Sequence, residues 1–113
     1  MPTHNYFVCL RTAPGKHEPP TPEQIQELYT AFSAWSDKFK ANIVDMGGKL
    51  KPGGRVLTSS GITDGPFTEA KEVIGGYMVI AADNFDHATE ITRECPGVVR
   101  PGTIVEIREI ARS

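Results

Sequence analysis

Two short stretches of this chain are apolar at nearly every position, and they limit the fold more than any other feature. Residues 6–10 read YFVCL, and residues 77–80 read YMVI. Short runs rich in β-forming residues predict strands, and an unbroken apolar run predicts a strand that is buried on both faces. The fold must therefore cover both sides of the sheet that contains them.

A long amphipathic helix is predicted after the first strand, which should cover residues 6–11. Three prolines and a glycine in residues 13–20 predict a loop. Thr21 suits the N-cap, Pro22 the first helical position and Gln24 a capping box, and Gly47 is expected to end the helix. Apolar residues at spacings of three and four form one predicted core stripe: Ile25, Leu28, Tyr29, Phe32, Trp35, Phe39 and Ile43.

The middle of the chain predicts turns and short strands. Two strands are expected, near Lys49 and at residues 55–58, around a turn at the Pro-Gly-Gly of residues 52–54. Asp64 and Gly65 form a strong turn dipeptide. Residues 68–72 are polar and predict one helical turn.

The last part of the chain predicts a strand, a helix and a strand. Residues 76–82 form the strand, Asp83 or Asn84 caps the helix, Pro96-Gly97 stops it, and residues 103–110 form the closing strand. The helix is expected to bury Phe85, Ala88, Ile91 and Cys95. In the closing strand the charged residues alternate with apolar ones, which predicts one polar and one apolar face: Glu106 and Arg108 against Val105 and Ile107.

The order β-α-β-β-α-β predicts one α+β domain over residues 1–113, with a ferredoxin-like antiparallel sheet and two helices on one face. The other face would expose a large apolar patch in a single copy of the chain. A twofold homodimer in which the open faces meet would cover it. Glu106 and Arg108 would then pair with each other or with a ligand; a simple surface pair is the alternative.

Bulk properties narrow the choice of partners. The 113 residues carry a net charge of -2, so nucleic acid and anionic membranes are not expected as partners. No stretch approaches the roughly 20 apolar residues of a membrane span, and the expected location is the cytoplasm. Cys9 and Cys95 are expected to be free thiols, with Cys9 buried. The three histidines are scattered and no cofactor fingerprint occurs, so neither a metal nor a cofactor is expected.

The stretch DGPFTEAKEVIGGY at residues 64–77 closely resembles the signature of the DGPF branch of the YCII-related family. The resemblance extends over nearly the whole chain, including Gly47-Gly48 and the ECPG of residues 94–97. It implies a ferredoxin-like fold and a dimeric α/β barrel. Some members of the branch are encoded beside extracytoplasmic-function sigma factors.

The wider family includes an enzyme that dehydrochlorinates a chlorinated aromatic diol. The resemblance implies a His at the start of the first helix and an Asp near the end of the second for that chemistry. This chain has Thr21-Pro22 at the first place and Cys95-Pro96 at the second. His17 lies in the preceding loop. The His-Asp mechanism is therefore not carried over.

Five residues are candidates for a site. Asp64 is the candidate base, or it caps its own turn. Arg11 and Arg108 could hold an anionic group, or face solvent. Tyr77 could present its phenol to a pocket, or simply pack. Glu72 shares a helical face with Glu69, and the two carboxylates could shift each other's pKa if buried, or form a solvated charged turn. The leading hypothesis is a homodimer that binds a small organic molecule for acid–base or elimination chemistry. The alternative is a non-catalytic ligand-binding or regulatory dimer.

Overall fold

A computed structural model of the chain describes residues 4–12, 21–51, 53–64, 73–98 and 102–111. The helices and strands are, in chain order, β1 His4–Thr12, α1 Pro22–Lys38, β2 Ile43–Lys49, β3 Arg55–Thr58, β4 Gly61–Asp64, β5 Val73–Ala82, α2 Phe85–Arg93 and β6 Thr103–Glu109. The predicted loop at 13–20 with His17, the Gly65-Pro66-Phe67 part of the turn and the helical turn at 68–72 lie outside the described residues.

Four strands form the main sheet in the order β2-β5-β1-β6. All three neighbouring pairs are antiparallel. With the β3–β4 hairpin set aside, this order and the two helices are those of the ferredoxin-like fold. The predicted fold class is confirmed.

The start of α1 follows the capping pattern in the sequence. The Thr21 side chain accepts a hydrogen bond from the Gln24 backbone N–H at 3.1 Å, and Gln24 Oε1 accepts one from the Thr21 N–H at 2.9 Å. This reciprocal arrangement satisfies two backbone donors that the first turn of a helix leaves open.

The end predicted for α1 was wrong. The helix stops at Lys38, and Ile43 and Gly47 belong to strand β2. Asn42 explains the break, because its backbone C=O accepts from Ala81 N–H at 2.6 Å and its side-chain amide donates to Ala81 C=O at 2.9 Å. Pairing with β5 thus replaces the helical hydrogen bonds that the spacing of apolar residues suggested.

The predicted core stripe of α1 is only partly buried. Trp35 is buried, and Phe32 and Phe39 pack against the core at its edge. The indole N–H of Trp35 donates to the Ile91 C=O at 2.9 Å and so joins the two helices. Three members of the stripe were predicted wrongly as core, because only the C-terminal half of α1 meets the core cluster: Ile25, Leu28 and Tyr29 are exposed.

Helix α2 is capped by Asn84, whose side chain accepts from the His87 N–H at 2.8 Å. Ala88, Ile91 and Cys95 are buried as predicted. Phe85 is half exposed, contrary to prediction, although its ring meets that of Tyr6 edge-on at 5.0 Å. The core joins both helices to one face of the sheet through Tyr6, Val8, Trp35, Met78, Ile80, Ala82, Ala88, Ile91, Cys95 and Val98.

The pairing predicted for the two short strands in the middle of the chain was also wrong. Strand β3 pairs with β4, not with the strand near Lys49, and the two form a separate two-stranded sheet. The Ser59-Ser60 turn between them carries no Asn-Gly or Asp-Gly signal. Strand β2 instead pairs with β5 in the main sheet.

Candidate functional site

The sheet face opposite the helices carries the candidate site, and we call it the open face. Its residues alternate along three neighbouring strands with those that face the core. In register, Cys9 lies between Tyr77 and Glu106, and Phe7 lies between Val79 and Arg108. The open face consists of Phe7, Cys9 and Arg11 from β1, Tyr77, Val79 and Ala81 from β5, and Ile104, Glu106 and Arg108 from β6.

Two aromatic rings form the apolar part of this face. Phe7 and Tyr77 stack with centroids 6.0 Å apart and an angle of 18° between their planes. Phe7 is 37% exposed and Tyr77 is partly exposed, so both offer ring surface to a bound molecule.

Three charged side chains stand beside the rings. Glu106 Oε1 lies 3.3 Å from the Arg11 guanidinium, and its Oε2 lies 4.0 Å from Arg108 Nε. Since all three side chains are at least one-third exposed, these ion pairs add little stability. They do hold two cations and one anion in a fixed order on one surface.

Cys9 lies beneath these charges. It is 7% exposed, and burial is the main cause that raises the pKa of its thiol; the Glu106 carboxylate raises it further, while Arg11 opposes the shift. Cys95, on the core side, has its pKa raised to about 11 by burial. Both are free thiols, as predicted. A thiol that stays protonated is a weak nucleophile, so neither cysteine is disposed to react at neutral pH.

A family model of the YCII-related domain matches residues 6–112. The chain belongs to the YCII-related family. A search of curated proteins finds no match. In this YCII-related chain the N-terminal end of α1 carries Thr21 as its N-cap, and Cys95 follows the end of α2.

The open face of this YCII-related domain brings together three of the five predicted site residues. Arg11 and Arg108 both approach Glu106, and Tyr77 stacks on Phe7 in the neighbouring part of the face.

The other two predicted residues are not brought into this group. Asp64 ends β4 in the separate hairpin, opposite Arg55 in register. The Asp64 side chain and all of Glu72 lie outside the described part of the chain. Their predicted roles therefore stay predictions.

Sequence reasoning missed Phe7, Cys9 and the contact between Arg11 and Glu106. A signal was present, because residues 7, 9 and 11 alternate along the first strand as residues 104, 106 and 108 do along the last. The ferredoxin-like order places those strands side by side and antiparallel. The sequence did not predict the register of the two strands, which places Cys9 opposite Glu106.

A shallow concavity of about 330 Å³ lies between the helices, on the other side of the sheet. It is lined by Ala31, Ala34, Trp35, Lys38, Glu94 and Pro96. Its charged groups already meet each other, with Lys38 Nζ 2.6 Å from Glu94 Oε1. The open face has the greater variety of groups and is the stronger candidate.

Within the described ranges, no three His, Cys, Asp or Glu side chains are grouped so that they could hold a metal ion. Neither described helix combines the length and the apolar character that a membrane crossing requires.

Proposed function

We propose that this YCII-related protein is a homodimer sealed through its open faces, and that it binds a small anionic organic molecule at the rim of that seal. The observation that carries the proposal is the composition of the open face. A stacked aromatic pair stands beside two arginines and one glutamate on a surface that neither helix covers.

The surface area of the chain supports the dimer. The accessible surface is 8675 Å² for a mass of 12.3 kDa, whereas a compact monomer of that mass exposes roughly 6,100 Å². The excess, about 2,600 Å² over the whole chain, is more than the roughly 800 Å² that each partner buries in a standard interface. The radius of gyration of 15.7 Å also exceeds the roughly 13 Å of a compact domain of this length.

The arrangement of charges supports an anionic ligand. A carboxylate or phosphate can take the place of Glu106 on Arg11, because the planar guanidinium offers paired donors to either group. Arg108 lies on the far side of Glu106 and gives the cluster a net positive charge. The Phe7 and Tyr77 rings would pack against the body of the ligand, and closure by a second copy would strengthen each polar contact by excluding water.

Calorimetric titration with benzoate and phenyl phosphate tests this function. We expect Arg11→Met to weaken binding by about tenfold to a hundredfold, the range for a lost charged hydrogen bond. Arg93→Met is the matched control, since Arg93 is an exposed arginine at the end of α2. Equal affinity in the Arg11 variant and the unmodified protein would reject the proposed site.

Whether binding leads to chemistry depends on Asp64. In the catalytic form of the proposal, Asp64 takes a proton from the carbon next to the halogenated carbon of the substrate. The electrons of that C–H bond form a C=C bond, and the halide leaves, while Arg11 and Arg108 hold the anionic group. Asp64→Asn should then abolish turnover of a panel of halogenated aromatic substrates and leave ligand binding within about threefold. Unchanged turnover would remove Asp64 from the mechanism.

A non-catalytic role as a ligand-binding or regulatory dimer, in a system such as that of a sigma factor, is the second candidate. One observation favours it: Thr21 and Cys95 occupy the places where the family's dehydrochlorinating branch is expected to carry its His and Asp. Saturable binding without any turnover in the unmodified protein would support this role.

A further inference from the structure

The hairpin of strands β3 and β4, residues 55–64, stands apart from the core, and we call it the hairpin arm. Its strands form their own two-stranded sheet, and none of the side chains described in the arm belongs to the core cluster. A hairpin without a further strand or helix on one face is marginally stable in water. The arm therefore needs a surface to pack on.

One face of the arm is apolar and strongly exposed. Leu57 and Ile62 lie directly opposite each other across the two strands, so their side chains share a face. Leu57 is 76% exposed and Ile62 is 62% exposed. Val56, which is less exposed, lies on the opposite face of the ribbon.

The base of the arm is held to the main sheet. Strand β2, at the sheet edge, leads into the arm, and the Leu50 N–H donates to the Gly75 C=O at 2.9 Å. The register of β2 shifts twice against β5, between Ile43 and Asp45 and between Asp45 and Gly48. Such bulges bend a strand and change its direction, and the arm follows this bent strand at the edge of the main sheet.

The surface that one copy of the chain exposes is large enough for a dimer interface that includes the arm. A standard interface buries about 800 Å² on each partner. The chain exposes about 2,600 Å² more than a compact monomer, several times that amount. The arm is a second exposed apolar surface of the chain, and in sequence it follows β2, the edge strand of the same sheet.

We propose that the hairpin arm docks on a second copy of this chain, with Leu57 and Ile62 buried in the dimer next to the seal between the open faces. This inference rests on the proposed homodimer. Because a twofold dimer has two equivalent arms, each arm reaches across to the other copy and extends the interface beyond the sheet. It also explains why apolar side chains persist on an otherwise isolated hairpin.

Analytical ultracentrifugation over a dilution series tests the arm. The double variant Leu57→Lys with Ile62→Lys should raise the dimer Kd by about 100-fold or more, since two buried apolar side chains are lost from each arm. Val56→Lys is the matched control on the other face of the same ribbon and should change Kd by no more than about threefold. Circular dichroism should report the same helix content in all three proteins.

Hydrogen exchange on the unmodified protein gives a test that needs no variant. Amides of β3 and β4 should be protected in the dimer and should lose protection on dilution in proportion to the monomer that forms. Phe7→Asp, which places a charge on the open face, should produce the same loss at high concentration. Protection that does not depend on dilution or on Phe7 would overturn docking on a second copy.

The outcomes separate the two proposals. A monomeric unmodified protein removes the homodimer and the arm proposal together. A dimer whose Kd is unchanged by the two lysines leaves the proposed function in place and overturns the arm proposal alone. Equal weakening by Val56→Lys and by the double variant overturns the assignment of the Leu57–Ile62 face.

Discussion

The two faces of the main sheet are made from the same strands, but the helices pack on only one of them. On the helix side, Val8 and Ile80 are fully buried. On the open face, Phe7 is more than one-third exposed and Ile104 is 48% exposed. Each face takes every second residue, so the difference comes from what packs on the sheet and not from the apolar content of the strands.

The comparison shows how a function can depend on a surface that one copy of a fold leaves uncovered. The helix face uses its apolar residues for stability. The open face combines apolar side chains with the Arg11–Glu106–Arg108 group, and a core would not tolerate these charges without complete pairing. The open face is therefore suited to binding, and the helix face to holding the domain together.

The largest expected difference is between two isoleucines on opposite faces. Ile80→Ala should lower the free energy of unfolding by about 3 to 4 kcal/mol, because a fully buried side chain leaves a cavity in the core. Ile104→Ala, measured at a dilution where the chain is monomeric, should cost about 1 kcal/mol or less, since that side chain is half exposed in a single copy. Urea unfolding followed by circular dichroism measures both, and equal losses would contradict the contrast between the faces.

An intermediate effect is expected at the edge strand β2, beside Tyr77. Gly47 has φ of 65°, and a Cβ built on it would lie 1.8 Å from the Tyr77 backbone oxygen. Gly47→Ala should therefore cost about 2 to 3 kcal/mol, as the strand must move and a left-handed backbone becomes strained.

Gly48→Ala is the matched control for this prediction. A Cβ on Gly48 would have no atom within 4 Å and its φ is not positive, so the unfolding free energy should change by about 0.5 kcal/mol or less. If both variants unfold at the same urea concentration, the left-handed backbone at Gly47 is not needed for the pairing of β2 with β5.

The smallest expected effect compares a cysteine from each side of the sheet. Glu106 is one cause of the raised pKa of Cys9, so Glu106→Gln should lower that pKa and increase the thiolate fraction at a given pH. We expect alkylation of Cys9 by iodoacetamide at pH 8 to become about twofold to fivefold faster, measured by peptide mass spectrometry.

Cys95 is the internal control in the same sample. Its pKa of about 11 has burial as its cause, so its alkylation should be unaffected by Glu106→Gln and should rise with pH until about pH 11. An equal increase at both cysteines would indicate a general loosening of the fold and would remove the specific link between Glu106 and Cys9.

Much of the fold could be predicted because local signals agreed with the tertiary structure. The capping pattern at Thr21, the apolar run around Val8 and the alternation at Glu106 all placed their elements correctly. The error at residues 39–47 had the opposite cause. Ile43 continues the helical spacing, but hydrogen bonds between Asn42 and Ala81 favour the strand.

The site was harder to predict because its parts are distant in sequence. Arg11 and Arg108 could be selected as cations at strand positions, yet only the pairing of β1 with β6 places Glu106 between them. Asp64 was selected by its turn signal, and the structure places its backbone in the hairpin arm. A turn signal is local and carries no information about which surface the turn will adjoin.

By itself the sequence determined the start of each helix and the strands β1, β5 and β6, because hydrophobic spacing and capping depend on neighbours only a few residues away. The tertiary structure alone decided which residues meet on the open face, where α1 ends and that β3 pairs with β4. Register and strand order join residues up to about a hundred positions apart, and a shift of one residue would turn every side chain of a strand to the opposite face.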